Sequence, residues 1–226
     1  NVRVITKFLG SGFGGKLFPW PHAAMAAVAA RKLKRPVKLS LTRRMMFSCV
    51  GYRPRTEQHV KLGATNDGKL LALRHDYLNN TSMLDDFDEG CGEATPILYS
   101  VANLEVTSAQ PRRNMGAPMW MRGPGAVPGL FALEAGMNEL ADELHMDPLK
   151  LRLLNEPHND ESNHNIPFSS RHLRECYEVG AKKFGWERRT AEVGSMRRDG
   201  KILGWGVAGA SWVALRLPCA ATVEFC

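Results

Sequence analysis

The sequence predicts an α+β fold of mixed sheets with packed helices, and three patterns carry that expectation. Asn66-Asp67-Gly68-Lys69 lies between two alternating segments, a β-hairpin signature. Leu130, Leu133, Met137, Leu140 and Leu144 recur at 3-4-3-4 spacing, the stripe of an amphipathic helix. Strand-like and helix-like segments also follow one another in mixed order, which fits α+β or an open α/β arrangement and not a clean βαβ series.

The elements follow in order. Residues 2–8 alternate in side-chain character and read as a strand with one buried face. A glycine-rich stretch, Gly10-Ser11-Gly12-Phe13-Gly14-Gly15-Lys16, comes next. Residues 22–34 are Ala-rich with Met25, Val28, Ala29 and Leu33 at helical spacing, so a helix is expected. Residues 37–42 place Val37, Leu39 and Leu41 on one side of a strand. The hairpin joins residues 59–64 to residues 70–79, and residues 104–109 supply another strand. A second Gly/Pro-rich stretch, Met121-Arg122-Gly123-Pro124-Gly125, precedes the helix of residues 128–144, with Glu134, Asn138, Glu139 and Asp142 expected outside. Asp147-Pro148 pairs an N-cap with proline at the first helical position and starts a short helix to Asn155. Residues 156–167 are a polar surface loop. Ser169 or Ser170 caps a helix to Phe184 with Leu173, Tyr177, Ala181 and Phe184 inward. A loop over residues 188–201 leads to strands at 202–210 and 220–225.

Composition excludes several classes. At 226 residues, 44% hydrophobic and 23% charged, the chain is globular, not disordered, collagen-like or coiled-coil. No apolar run approaches the roughly 20 residues that span a bilayer, and the sequence, without initiator Met or signal peptide, reads as part of something longer. The net charge of +7 is spread over pairs such as Arg43-Arg44, Arg112-Arg113 and Arg197-Arg198 without interleaved aromatics. That pattern fits a solvated surface or acidic partner subunits, not nucleic acid. Five cysteines without a C-x-x-C pair indicate reduced, packed thiols and a cytoplasmic protein, with export on a partner's signal as the alternative. His158 and His164 beside Asp160 and Glu161 match no standard ligand spacing. Nothing near Cys91 in sequence activates its thiol. Met115, Met119, Trp120 and Met121 line either a substrate funnel or a packed surface.

The first glycine stretch admits three readings. Gly10, Gly12 and Gly15 fit the G-x-G-x-x-G of a dinucleotide-binding turn, and the arginines after residue 42 suit an NADP-like 2′-phosphate. Against it, residues 16–21 with two prolines separate the third glycine from the helix. Gly10 and Gly15-Lys16 fit a P-loop, but Leu17 stands where a Ser or Thr hydroxyl must meet Mg²⁺.

The third reading joins both loops. Gly12-Phe13-Gly14-Gly15-Lys16, Arg35-Pro36-Val37-Lys38-Leu39 with Thr42-Arg43, and Asp67-Gly68-Lys69 occur in order with Met121-Arg122-Gly123-Pro124-Gly125 and the block from Ala132-Leu133-Glu134 to Leu154-Asn155. This order resembles the molybdenum-binding large subunit of the xanthine dehydrogenase and aldehyde oxidase family, from about Val4 to Val207. Phe168-Ser169-Ser170, Phe184-Gly185-Trp186 and Leu203-Gly204-Trp205-Gly206 are similar to its bacterial aldehyde or isoquinoline oxidoreductase members. The resemblance implies a molybdopterin-binding region over residues 1–155 and the start of a following subdomain over residues 156–226. It places the backbones of Phe13 and Gly14 against a molybdenum–dithiolene centre and the main chain of Arg122 beside it, with Gly12, Gly15 and Gly123 completing the cradle. No side chain would ligate the metal, which the pterin dithiolene holds. Backbone N–H donors on Gly-rich loops suit an anionic metal group and a phosphate.

The same resemblance implies hydroxylation of an aldehyde or an N-heteroaromatic carbon with oxygen from water. The general-base glutamate is expected beyond Cys226. The cofactor is expected as the cytosine dinucleotide, with [2Fe–2S] clusters and FAD on partner subunits or further domains, since no cysteine pattern for such clusters is present. An iron–sulfur subunit, an FAD subunit and a small-molecule substrate are the expected partners, in a complex that dimerises, without nucleic acid or membrane insertion. Purine-hydroxylating members continue the first loop into a substrate-binding Glu, and here Leu17 follows Lys16. Their purine-orienting arginine falls by position near Gly90. Leu17 is thus the substrate-proximal residue of an apolar pocket, and xanthine is not the expected substrate.

Overall fold

The computed structural model describes residues 5, 10–212, 218–220 and 222. All but Ile5 of the strand expected at residues 2–8, and all but two residues of that at 220–225, lie outside them.

A three-stranded sheet backed by helices forms the centre. β1 (Thr56–Ala64) and β2 (Leu70–Asn79) pair antiparallel from Thr56↔Asn79 to Ala64↔Leu70. Their turn is built as the Asp-Gly signal requires. Gly68 takes a φ of +92°, its N–H donates to the Thr65 carbonyl at 2.8 Å, and the Thr65 hydroxyl donates to Asp67. β3 (Thr81–Ser82) follows, then a crossover containing α3 (Thr95–Leu98), which returns the chain as β4 (Asn103–Ala109) parallel to β2. The sheet order is β1-β2-β4, and β5 (Arg112–Arg113) pairs with β3.

Side chains of β2 divide by face. Leu73, His75, Tyr77 and Asn79 are buried, and Arg74 and Asp76 point the other way toward Glu105 and Thr107. α4 (Ala126–Glu143) lies on the buried face and contributes Leu130, Leu133 and Met137. Gly136 lets α4 come close to Val60 and Leu62, whose methyls lie 3.3–3.4 Å from where a Cβ would sit. α5 (Pro148–Leu154) begins as expected, the Asp147 carboxylate accepting from Leu149 N at 2.8 Å and Lys150 N at 3.0 Å. Leu98, Tyr99 and Leu151 complete the core.

His75 is fully buried in this core. Gln58 donates its amide to Pro128 O and Thr56 Oγ1, so its carbonyl accepts from His75 Nε2, and Thr95 supplies the proton at Nδ1. The neutral ring is thereby satisfied, and burial lowers its pKa from 6.5 against a weaker opposite effect of Asp76. The unfolded chain takes up a proton near pH 6.5 and the folded chain only at lower pH. Stability therefore falls as pH drops below 6.5, by up to about 1.4 kcal/mol per pH unit. A His75→Gln subunit is expected to show a flatter decline of its thermal midpoint on acidification than the wild type. Equal slopes would show that this ring does not control the acid limb.

Several expectations are corrected. Residues 37–42 make no ladder among the described residues, and the chain instead forms α2 (Arg43–Cys49), with the Thr42 hydroxyl accepting from Met45 N at 3.3 Å. β-alternation is satisfied only when a partner strand is present, and among the described residues β1, β2 and β4 pair with one another and not with this segment. In residues 202–210 only Ile202 pairs among the described residues, within the short Arg197–Arg198 and Lys201–Ile202 ladder. α6 (Leu173–Phe184) starts after His172, not after a serine cap; Leu173, Tyr177 and Ala181 turn inward, whereas Phe184 is 54% exposed and stacks edge-on against Trp205. α1 (Pro21–Leu33) is the expected helix, yet it has no buried residue, and Met25, Val28 and Leu33 are exposed.

Glu134 is the largest departure. Amphipathic periodicity puts it outside, and it is only 4% exposed. The fully buried Arg152 of α5 donates Nε to Glu134 Oε2 at 2.8 Å, and its other nitrogens reach the Pro148 carbonyl and Asn138 Oδ1 at 2.9 Å. The Tyr99 hydroxyl donates to Oε1, and Gly209 N donates to Oε2 at 2.6 Å. A carboxylate is admitted here because a helix distant in sequence delivers its counter-ion. Burial and this carboxylate drive the Tyr99 hydroxyl well above its ordinary pKa, so it remains a donor.

Candidate cofactor site

Gly10, Phe13 and Gly14 adopt positive φ of +61°, +51° and +94°, which curls residues 10–18 into a tight loop. Leu17 N donates to the Gly14 carbonyl at 3.1 Å, Trp20 Nε1 to the Gly15 carbonyl at 2.6 Å, and Lys16 Nζ to the Ser11 carbonyl at 3.2 Å. α1 begins only at Pro21, so its N-terminus does not stand at the third glycine. A dinucleotide turn needs that helix end against the pyrophosphate, and the geometry argues against it.

The second loop opens with Met119 N donating to the Tyr52 carbonyl at 2.9 Å and closes into α4 through Val127 N to Gly123 O and Gly129 N to Gly125 O. Gly123 and Gly125 carry φ of +65° and +64°. A Cβ on Gly125 would lie 2.3 Å from the Gly90 carbonyl oxygen, so only glycine lets the loop approach residues 89–90.

The two loops touch. Arg122 N donates to the Phe13 carbonyl at 2.9 Å, and a Cβ on Gly14 would lie 2.1 Å from the Trp120 carbonyl oxygen. The first loop thus meets the second at Phe13 and Arg122, with Gly14 against the Trp120 and Met121 main chain and Gly15 against the Met121 side chain. Among the described residues, no carbonyl accepts from the amides of Phe13, Gly14 or Gly123. Phe13 and Leu17 are exposed, at 61% and 63%. Phe18 and Phe87 flank Trp120 at centroid distances of 6.3 and 5.6 Å, giving the loops an aromatic border. Met115 is exposed as well, whereas Met119 packs against Gly51.

Arg53 and Glu89 underpin the second loop, and sequence reasoning did not single them out. Arg53 NH1 meets Glu89 Oε1 at 2.6 Å and the Gly123 carbonyl at 3.3 Å, and NH2 donates to the Arg122 carbonyl at 2.5 Å. Gly125 N donates to the same Glu89 oxygen at 3.1 Å. Burial raises the Glu89 carboxyl above the usual carboxylate range, opposed by the Gly125 N–H and the Arg53 charge. The only sequence hint was Gly90-Cys91-Gly92, whose small residues allow close packing: a Cβ on Gly92 would meet Val106 at 2.2 Å. Cys91 itself is buried, and desolvation pushes its thiol up to about 12, so it is inert. Among the described residues, no group of three His, Cys, Asp or Glu side chains is placed to hold a metal ion, and none of the helices is long and apolar enough to cross a membrane.

Residues 1–156 match the family model of the molybdopterin cofactor-binding domain. The chain belongs to this family. Within the molybdopterin-binding proteins, it is 38% identical over 208 residues to the aldehyde oxidoreductase molybdenum-binding subunit PaoC of Escherichia coli, covering 92% of this chain and 28% of that protein. It is 30% identical over 224 residues to the putative xanthine dehydrogenase molybdenum-binding subunit XdhA of the same species, covering 93% and 29%. Among solved structures, the aldehyde oxidoreductase of Desulfovibrio gigas superposes with a TM-score of 0.69 at 29% identity, over 80% of this chain and 21% of that one. The CO dehydrogenase of Oligotropha carboxidovorans superposes with a TM-score of 0.68 over 79% and 24%; at 22% identity it speaks for the fold alone. The chain spans less than a third of the length of these relatives.

The loops fit the group this family binds. Gly14 has no room for a side chain, the amides of Phe13, Gly14 and Gly123 lack carbonyl acceptors among the described residues, and Lys16 and Arg122 add positive charge. Donors and cations of this kind suit an anionic, phosphate-bearing cofactor.

Proposed function

We propose that the loops over residues 12–15 and 122–123 hold a molybdopterin cofactor in a molybdenum hydroxylase large subunit, which oxidises an aldehyde or an N-heteroaromatic C–H bond with oxygen from water. The hydrogen bond from Arg122 N to the Phe13 carbonyl carries this reading, because it makes one anion-facing surface from two loops. When bound, the cofactor supplies a two-electron oxidant. The polypeptide supplies donors at Phe13, Gly14 and Gly123, positive charge at Lys16 and Arg122, and an apolar border from Leu17, Phe18 and Trp120 that excludes water and favours a flat apolar substrate. The cytosine dinucleotide form, [2Fe–2S] clusters and FAD on partner subunits, and a cytoplasmic site of action belong to the same proposal.

The test is the molybdenum and pterin content per polypeptide of the complete native protein, purified with whatever accompanies it. Near-stoichiometric molybdenum supports the reading. A folded product without molybdenum, made with ample molybdate, sinks it. On substrate, Leu17→Glu is expected to lower kcat/KM for benzaldehyde-like substrates about tenfold, the cost of setting a carboxylate against an apolar ring. A clear gain in turnover would contradict the apolar pocket.

A further inference from the structure

We infer that the Arg53–Glu89 pair is the positioning device of the second loop, setting the distance between the Arg122 main chain and the first loop; the inference rests on the cofactor reading above. One guanidinium holds the carbonyls of Arg122 and Gly123, and one carboxylate oxygen holds the N–H of Gly125. Three main-chain groups of a four-residue turn are therefore held by one ion pair from outside the loop, Arg53 in the segment just before β1 and Glu89 in the crossover after β3. With those carbonyls turned back onto Arg53, the Arg122 N–H faces Phe13, where it donates at 2.9 Å.

The pair is poorly arranged for stability alone. The Glu89 side chain is fully buried, while that of Arg53 keeps 26% of its exposure. Glu89 Oε2 has no hydrogen-bond partner among the described residues, although it too is buried. Removing a carboxylate from water and leaving one oxygen unsatisfied costs more than an apolar packing of similar shape would. Its geometric effect is specific, since Arg presents a planar fork that grips two neighbouring carbonyls at once, which a lysine does not reproduce.

The experiment uses the complete subunit with its natural partners and the variants Arg53→Lys and Glu89→Gln. Three quantities are read: amide exchange over residues 119–127 in protein made without molybdate, the molybdenum(V) paramagnetic resonance spectrum, and kcat and KM for an aromatic aldehyde per bound molybdenum. For Arg53→Lys, exchange in this segment is expected to rise about tenfold, the spectrum to shift, and kcat to fall about 10- to 100-fold with KM changed far less. Glu89→Gln keeps the shape and the acceptor for Gly125 but loses the charge facing Arg53, so smaller changes in the same directions are expected. It carries the test if Arg53→Lys does not fold. Folded variants with wild-type exchange and spectrum overturn the proposal and leave the cofactor reading standing. A wild-type enzyme without molybdenum overturns both.

Discussion

Gly14→Ala in the complete subunit is expected to reduce bound molybdenum at least about tenfold while the protein remains folded. The added Cβ would lie 2.1 Å from the Trp120 carbonyl oxygen and 2.8 Å from Met121 Cα. Both are main-chain atoms, so no side chain can swing aside. The position also holds a φ of +94°, a region that L-residues with a Cβ rarely enter. The least costly response is for residues 10–18 to move off the second loop, which breaks the Phe13–Arg122 bond. Neither Gly14 nor Phe13 belongs to the hydrophobic core, so the thermal midpoint should change little. Gly116→Ala is the control, because a Cβ there meets nothing within 4 Å. Metal analysis of both variants decides the matter, and full molybdenum in Gly14→Ala would show that the loop contact is dispensable.

Glu134→Ala is expected to be the most destabilising single change in this region, by about 3–5 kcal/mol. It strands the fully buried Arg152 guanidinium and deprives Tyr99 and Gly209 of their acceptor. Pairing Glu134→Met with Arg152→Met removes both charges and leaves apolar volume in their place. The double variant should therefore be more stable than Glu134→Ala, a non-additivity expected of side chains in direct contact. Denaturant unfolding of the complete subunit, followed by amide exchange in α4, measures the difference. A double variant as unstable as the single one would show that the lost acceptor of Tyr99 and Gly209, not the stranded charge of Arg152, dominates the cost.

Local chemistry made much of this fold legible. The Asp67-Gly68 turn, the Asp147 cap and the leucine stripe of α4 each depend on residues within one or two turns of each other, so their consequences are visible in one dimension. The same holds for both glycine loops, whose freedom of backbone announces itself in composition. Where the reading went astray, the deciding partner was remote. Residues 37–42 alternate as a strand but find no ladder among the described residues, and Glu134 looks like a solvent-facing residue until Arg152 arrives from another helix.

The sequence by itself determined the α+β class, the hairpin, the Asp147 cap and the ordered motifs of a molybdopterin-binding chain. Tertiary structure alone decided that Phe13 and Arg122 share a hydrogen bond, that Arg53 and Glu89 stand behind the second loop, and that one carboxylate of α4 is buried. The division has a physical reason. Turn, cap and amphipathic preferences are short-range free energies of neighbouring residues, whereas an ion pair or a loop contact exists only after the chain has closed a long loop and excluded water from both partners.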